Sequence, residues 1–316
     1  MDRIERRQDL EGRLMNPNGD VRVEGVALPS EGTELVGDLY RPASQPAGDA
    51  SPAVVVVGSW TTVKEQMAGR YAAGLAQRGL TALAFDFRGY GGSKGEPQNF
   101  ESPERKITDI VSAVRYLKSR PDVDSSRIGA LGICAGSGYV AVAASRNPEI
   151  RSVAMVAPWL HDRTLVLDIY GGPEGIGERM TQGEAAREKY ESTGEVDYIP
   201  AASDTDAQAA MYGPFDYYLS ADRGAIPQWG NRFAVMSWPQ WLTFDPIAVA
   251  PQCTAPTFML HSPDAAVPDG VRRFHDALTA PKELQWTTGT QFDFYDQEST
   301  VVPALDSAAG HFGRTL

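Results

Sequence analysis

The sequence predicts an α/β fold: a mostly parallel sheet with helices on both faces, interrupted by a helical cap. Three observations predict it. Apolar strand-like runs and helically spaced segments alternate four times between about residues 53 and 160. The alternation stops near His161 and resumes after Asp245. A chain of 316 residues is long for one domain and short for two, so one large core with an insertion suits it. The expected organisation is an N-terminal extension over 1–20, a core over 21–160 and 246–316, and a cap insertion over 161–245.

The elements follow in order. "VRVEGVALPSEGTELVGDLYRP" at 21–42 predicts two strands around a Ser-Glu-Gly turn. "AVVVVGSW" is a continuous apolar run, as in a strand covered on both faces. "KEQMAGRYAAGLAQRG" has helical spacing and a closing Gly79. "LTALAFDFRGYGGS" reads as a strand and a glycine-rich turn. "SPERKITDIVSAVRYLKSRPDV" reads as a helix with Ser102 as N-cap and proline at its first position. "RIGALGIC" is a strand, "AGSGYVAVAASRNP" a helix and "IRSVAMVAPWL" a strand. After the interruption, "APTFMLHSPD", "PDGVRRFHDALTAPK", "ELQWTTGTQFDFYD" and "STVVPALDSAAGHFGRTL" restore the pattern. Parallel sheets of this kind form sites at the carboxyl ends of their strands.

Composition narrows the function. A formal charge of −12, with no basic cluster, argues against nucleic acid and anionic membranes as partners. The two cysteines, Cys134 and Cys253, form neither a metal spacing nor a disulfide framework, which points to a reducing cytoplasm. The paired arginines of "ERRQDLEGR" precede no apolar stretch, so export is not expected, and no run approaches a membrane span.

The segment Gly132-Ile133-Cys134-Ala135-Gly136 spaces two glycines around a cysteine, between a strand and a helix. A sharp strand-to-helix turn needs that spacing, because neighbouring backbone approaches closely and the central residue is pushed into the cleft. Cys134 is therefore the candidate nucleophile, and its place at a helix start favours a thiolate. Ser137 lacks the glycine spacing and is expected to hold the helix start against the sheet. Acyl chemistry also needs two backbone N–H donors for the developing oxyanion. By position these are Ala135, after the nucleophile, and Trp60, in the loop "GSWTTVKEQ" after the first central strand.

"GSWTTVKEQ", "AFDFRGYGGSKGEP", "GICAG" and "FDFYD", in this order and spacing, resemble the α/β-hydrolase superfamily, nearest its dienelactone-hydrolase-like and fungal polyketide-thiohydrolase-like branch. The resemblance spans about residues 21–316. It implies an eight-stranded sheet and a nucleophile–acid–histidine triad, with cysteine as the nucleophile in dienelactone hydrolases. It also implies structural roles for Asp86, Arg88 and Ser93. Asp264, in "HSPDAAVP", falls where such families place the acid, with Asp162 as the alternative. The departure is Gln291. It stands where these families carry the histidine, and glutamine cannot accept a proton to become a cation at neutral pH.

Four histidines remain as substitutes. His161 follows a strand at the carboxyl edge, beside Asp162, and is the strongest replacement. His261 ends a strand and points to either face. His275 belongs to an amphipathic helix surface, and His311 to the final helix, remote from the edge.

The cap suggests the substrate. Thirteen aromatics fall within 158–245, chiefly in "MYGPFDYYL" and "NRFAVMSWPQWLTFDP". Part of that content must form the cap's own core, yet it also suits an apolar pocket, with Tyr217, Phe233, Trp238 and Trp241 as candidate substrate contacts. Surface salt bridges are the expected role of Arg223 and Arg232, with an anion clamp from either as the alternative. The expected activity is that of a hydrolase with a cysteine nucleophile, acting on an ester, thioester or lactone of a small apolar or aromatic, polyketide-like molecule, without cofactor or metal. The alternatives are a cyclase, isomerase or C–C lyase that uses the oxyanion hole, or a non-catalytic small-molecule binder.

Overall fold

The computed structural model describes residues 13–15, 20–46 and 48–316. Most of the paired-arginine stretch therefore lies outside the described residues. The strands in chain order are β1 (Arg13–Met15), β2 (Val21–Ser30), β3 (Thr33–Pro42), β4 (Ser51–Val57), β5 (Thr81–Phe85), β6 (Val123–Ile133) and β7 (Ser152–Val156). They continue with β8 (Tyr198–Pro200), β9 (Ala202–Ser203), β10 (Met211–Tyr212), β11 (Arg232–Ala234), β12 (Thr257–His261) and β13 (Lys282–Trp286). The helices are α1 (Met67–Gln77), α2 (Pro103–Ser119), α3 (Ala135–Arg146), α4 (Arg163–Ile169), α5 (Gly172–Thr193), α6 (Asp216–Leu219), α7 (Trp238–Leu242), α8 (Pro268–Ala277), α9 (Asp293–Asp296) and α10 (Glu298–Thr315).

One sheet carries the fold, in the order β1-β2-β3-β5-β4-β6-β7-β12-β13. The first three are antiparallel neighbours, β3 meets β5 antiparallel, and every pairing from β5 to β13 is parallel. The eight expected strands are β2–β7, β12 and β13; β1 adds a ninth at the edge. The β2–β3 hairpin turns where expected, with Glu31 and Gly32 both at positive φ.

β4, β5 and β7 are covered on both faces, which is why their sequences read as unbroken apolar runs. Helices α1 and α10 pack together, and so do α2 and α3. The glycine-rich loop after β5 is structural: Asp86 accepts from the Lys64 and Gly92 amides at 2.7 and 2.9 Å, Ser93 Oγ donates to the Asp86 carbonyl, and Arg88 reaches Asp109. Burial raises the Asp86 carboxyl to about 6.

Residues 163–242 add no strand to the main sheet. They form helices α4–α7 and two small ladders, β8 with β11 and β9 with β10. Among the described residues no helix is long and apolar enough to cross a membrane.

Candidate active site

The turn from β6 into α3 puts Cys134 at φ 54°, ψ −123°, a backbone conformation that L-residues rarely adopt. The two flanking glycines make it feasible. A Cβ on Gly132 would lie 2.5 Å from the Ser137 backbone, and one on Gly136 would lie 2.4 Å from the Gly58 carbonyl. Ser137 Oγ donates to the Gly132 carbonyl at 2.9 Å, tying the helix start to the strand end. Cys253 is different. It lies just before β12, its thiol faces the Ala141 and Val249 carbonyls, and burial raises it to about 11.

Cys134 lines a cavity of about 620 Å³ at the carboxyl edge of the sheet. The core contributes Ser59, Trp60, Ala135, Trp159, Asp264 and Gln291 to its wall, and the inserted segment contributes Ile169, Tyr170, Arg179, Tyr218 and Trp241 among others. The Ser59 and Tyr295 hydroxyls, the Ala135 amide and the Gln291 side chain act to hold the thiol down. Burial nevertheless outweighs them and pushes the thiol above its ordinary value, so the thiolate expected from the helix start is not the resting state.

The hydroxyls form a chain. Tyr218 donates to Ser59 Oγ at 3.0 Å, and Ser59 Oγ lies 3.2 Å from the Tyr295 hydroxyl. Gln291 Nε2 donates to that hydroxyl at 3.3 Å and to the Ala157 carbonyl at 3.0 Å, while Gln291 Oε1 accepts from the Ala266 amide at 3.0 Å. Both ends of the amide are thus fixed. Burial pushes the Tyr218 and Tyr295 phenols well above their ordinary value, so both keep their protons. Ser59, Tyr218 and Tyr295 escaped the sequence reading.

Amide accounting in the loop after β4 singles out one donor. The Thr61 amide reaches Glu101, Thr62 reaches the Ser59 carbonyl, Val63 reaches Gln66 and Lys64 reaches Asp86. Among the described residues the Trp60 amide has no acceptor. The Trp60 ring packs 4.9 Å from both Phe233 and Trp241.

The histidines lie elsewhere; none lines the cavity. His161 is buried, its Nδ1 accepts from Trp159 Nε1 at 2.9 Å, and its Nε2 faces the Trp241 carbonyl at 3.3 Å. With both nitrogens engaged and burial holding the ring down to about 4, it is a packing residue and not the replacement base. His261 is buried against Trp286, and burial lowers it to about 4. His311 faces Ser152 at the opposite end of β7, and His275 pairs with Asp276 on α8. Asp264 stands exposed at the cavity rim, with no hydrogen bond from its carboxylate to Gln291. Asp162 caps α4 and pairs with Arg273.

Of the four aromatics expected to touch substrate, only Trp241 lines the cavity. Trp238 and Phe233 pack at a tilt with ring centres 4.8 Å apart behind it, and Tyr217 packs against Tyr218 and Tyr295. Such rings satisfy one another, which composition alone cannot separate from a pocket wall. Arg223 pairs with Asp296 and Arg232 sits over the Tyr198 ring, so neither reaches the cavity.

The comparisons agree with this architecture. Residues 31–173 match the X-Pro dipeptidyl-peptidase (S15) family. The chain is 30% identical to the YcjY protein of Escherichia coli K12 over 80% of its own length and 85% of that protein's. It is 29% identical to the PA2218 protein of Pseudomonas aeruginosa over 90% and 78% of the two chains. The PA2218 crystal structure superposes with a TM-score of 0.81 over 94% of each chain. That of the α/β hydrolase GrgF from Penicillium superposes at 0.78, with 22% identity over 93% and 98%.

The chain belongs to the α/β-hydrolase superfamily. A dienelactone hydrolase from Anabaena variabilis shares the fold with a TM-score of 0.57 at 14% identity, and the thiohydrolase aneE of Aspergillus aculeatus is 32% identical over 42% of this chain and 40% of its own. Its relatives include hydrolases and transferases.

A base placed at position 291 should promote attack by water. Gln291→His is expected to raise hydrolysis of a simple aryl thioester by about 10-fold or more, at the low end of general-base effects. Stopped-flow release of the thiol measures it. A flat rate would mean that position 291 does not reach the reacting water.

Proposed function

We propose that this protein is an acyl-transferring enzyme that uses Cys134 to take a bulky, largely apolar acyl group from a thioester. Esters and lactones are slower donors. The observation that carries the reading is the Cys134 thiol in the strained elbow, lining the cavity together with the Ser59 and Tyr295 hydroxyls and with no histidine in the wall. Relatives named polyketide transferase and thiohydrolase support it.

The chemistry follows from proton counting. The substrate carbonyl oxygen sits between the Trp60 and Ala135 amides, the first of which has no acceptor of its own. Cys134 Sγ bonds to the carbonyl carbon, and the bond from that carbon to the leaving sulfur breaks. The Cys134 proton passes to the leaving sulfur, with the Ser59 and Tyr295 hydroxyls as the relay. A thiol enters and a thiol leaves, so the exchange needs no net base. Hydrolysis balances its proton in the same way, but water is a far weaker acid and nucleophile than a thiol and depends on a base to draw its proton off, which Gln291 cannot do. The site therefore favours transfer to an acceptor thiol over release to water.

The test is partition. With an arylacyl thioester and an added acceptor thiol, acyl exchange is expected to exceed hydrolysis by at least about 10-fold, because the general base that speeds water attack is absent. Hydrolysis that equals exchange at every acceptor concentration would refute the transfer reading.

A further inference from the structure

We propose that the cavity binds an anionic group of its substrate, a carboxylate or phosphate oxyanion, at Arg179. The inference deepens the acyl-transfer reading by giving the substrate a charge. Arg179 lies on α5 and lines the Cys134 cavity, where it is the only cation among the described lining residues; Asp264 is the only carboxylate. It also lines an adjoining cavity of about 640 Å³, which the two spaces share through Arg179, Ala207 and Ala209.

Its orientation is built. Nη1 donates to the Tyr170 and Gly175 carbonyls at 3.2 and 2.9 Å. The guanidinium carbon stands 5.4 Å from the Tyr170 ring centre and 5.3 Å from that of Trp238. Tyr170 is itself fixed, its hydroxyl accepting from Trp241 Nε1 at 2.6 Å. The two rings lie on one side of the guanidinium, 5.6 Å from each other and inclined at 74°. The Nε and Nη2 donors have no acceptor among the described residues.

What is missing is a carboxylate. This chain holds 41 acidic residues against 29 basic ones, so acidic partners are plentiful. Neighbouring cations take them: Lys189 pairs with Asp197 at 2.7 Å and Arg223 with Asp296 at 2.7 Å. Arg179 pairs with none among the described residues. A fixed, unpaired guanidinium edge in an otherwise mostly apolar cavity matches the planar fork of a carboxylate or phosphate.

Two ligand pairs test it by titration calorimetry on the wild-type protein: 4-phenylbutyrate against 4-phenylbutyramide, and 4′-phosphopantetheine against pantetheine. The anionic member of at least one pair is expected to bind about 10-fold or more tighter, the range of hydrogen bonds to charged groups. Preference in the first pair puts the anion on the acyl group; preference in the second puts it on the thiol carrier. Arg179→Gln should erase the preference while neutral ligands still bind, and Arg179→Lys should retain part of it. Equal binding within both wild-type pairs would overturn the proposal, as would a preference that survives Arg179→Gln in a folded protein. Because the readout is binding, it stands or falls separately from turnover at Cys134.

Discussion

Cys134→Ala is expected to lower acyl exchange by about 1,000-fold or more, the scale on which enzymes lose rate with their nucleophile. The change removes one sulfur from a cavity wall and leaves the elbow glycines in place, so the melting temperature should barely move. Thiol-release assays on wild type and variant, with thermal melts alongside, measure both. If turnover survives the substitution, the Trp60 and Ala135 amides act without a covalent step. The protein would then polarise a carbonyl and not accept an acyl group.

The second large effect lies behind the oxyanion loop. Glu101 and Lys106 are both buried, 2.6 Å apart. Glu101 also accepts from Tyr90 at 2.9 Å, from Tyr139 at 2.6 Å and from the Thr61 amide at 3.0 Å. Lys106 lies over the rings of Phe87, Tyr90 and Tyr139. Thr61 is held at φ 62°, next to Trp60, so this carboxylate shapes the loop that presents the free amide. Removing one partner strands a charge in the interior. Lys106→Met alone is expected to cost about 3–5 kcal/mol, a large share of a typical domain's stability. The double variant Glu101→Gln/Lys106→Met should cost less than Lys106→Met alone, because no charge is left unpaired. Urea unfolding of the single and double variants checks both. A loss under about 1 kcal/mol for Lys106→Met would mean that water reaches and solvates Glu101.

Much of this was legible in the sequence, for identifiable reasons. The sheet was legible because strands covered on both faces must be apolar throughout. The elbow was legible because backbone packs so closely against residues 132 and 136 that only glycine fits there. Gln291 was legible from the "FDFYD" segment that follows it. The hydroxyls of Ser59, Tyr218 and Tyr295 were not, because they come from three distant segments that meet only in the fold and no local pattern marks them. Helix α5 was also missed as a single long helix. Only Gly183 and Ala186 are buried on it, so it carries no apolar stripe. Arg179 went unseen with it, while Arg223 and Arg232 drew attention for their neighbours. His161 misled in the opposite way: its place after β7 suggested a base, but both ring nitrogens are spent on Trp159 and Trp241.

Intact-mass spectrometry after rapid mixing with an arylacyl thioester tests the central claim most directly. One acyl group per chain is expected, mapped to Cys134, formed faster than it is lost to water and discharged by an acceptor thiol. Substrate consumption with no adduct at any time, or an adduct on Cys253, would contradict it.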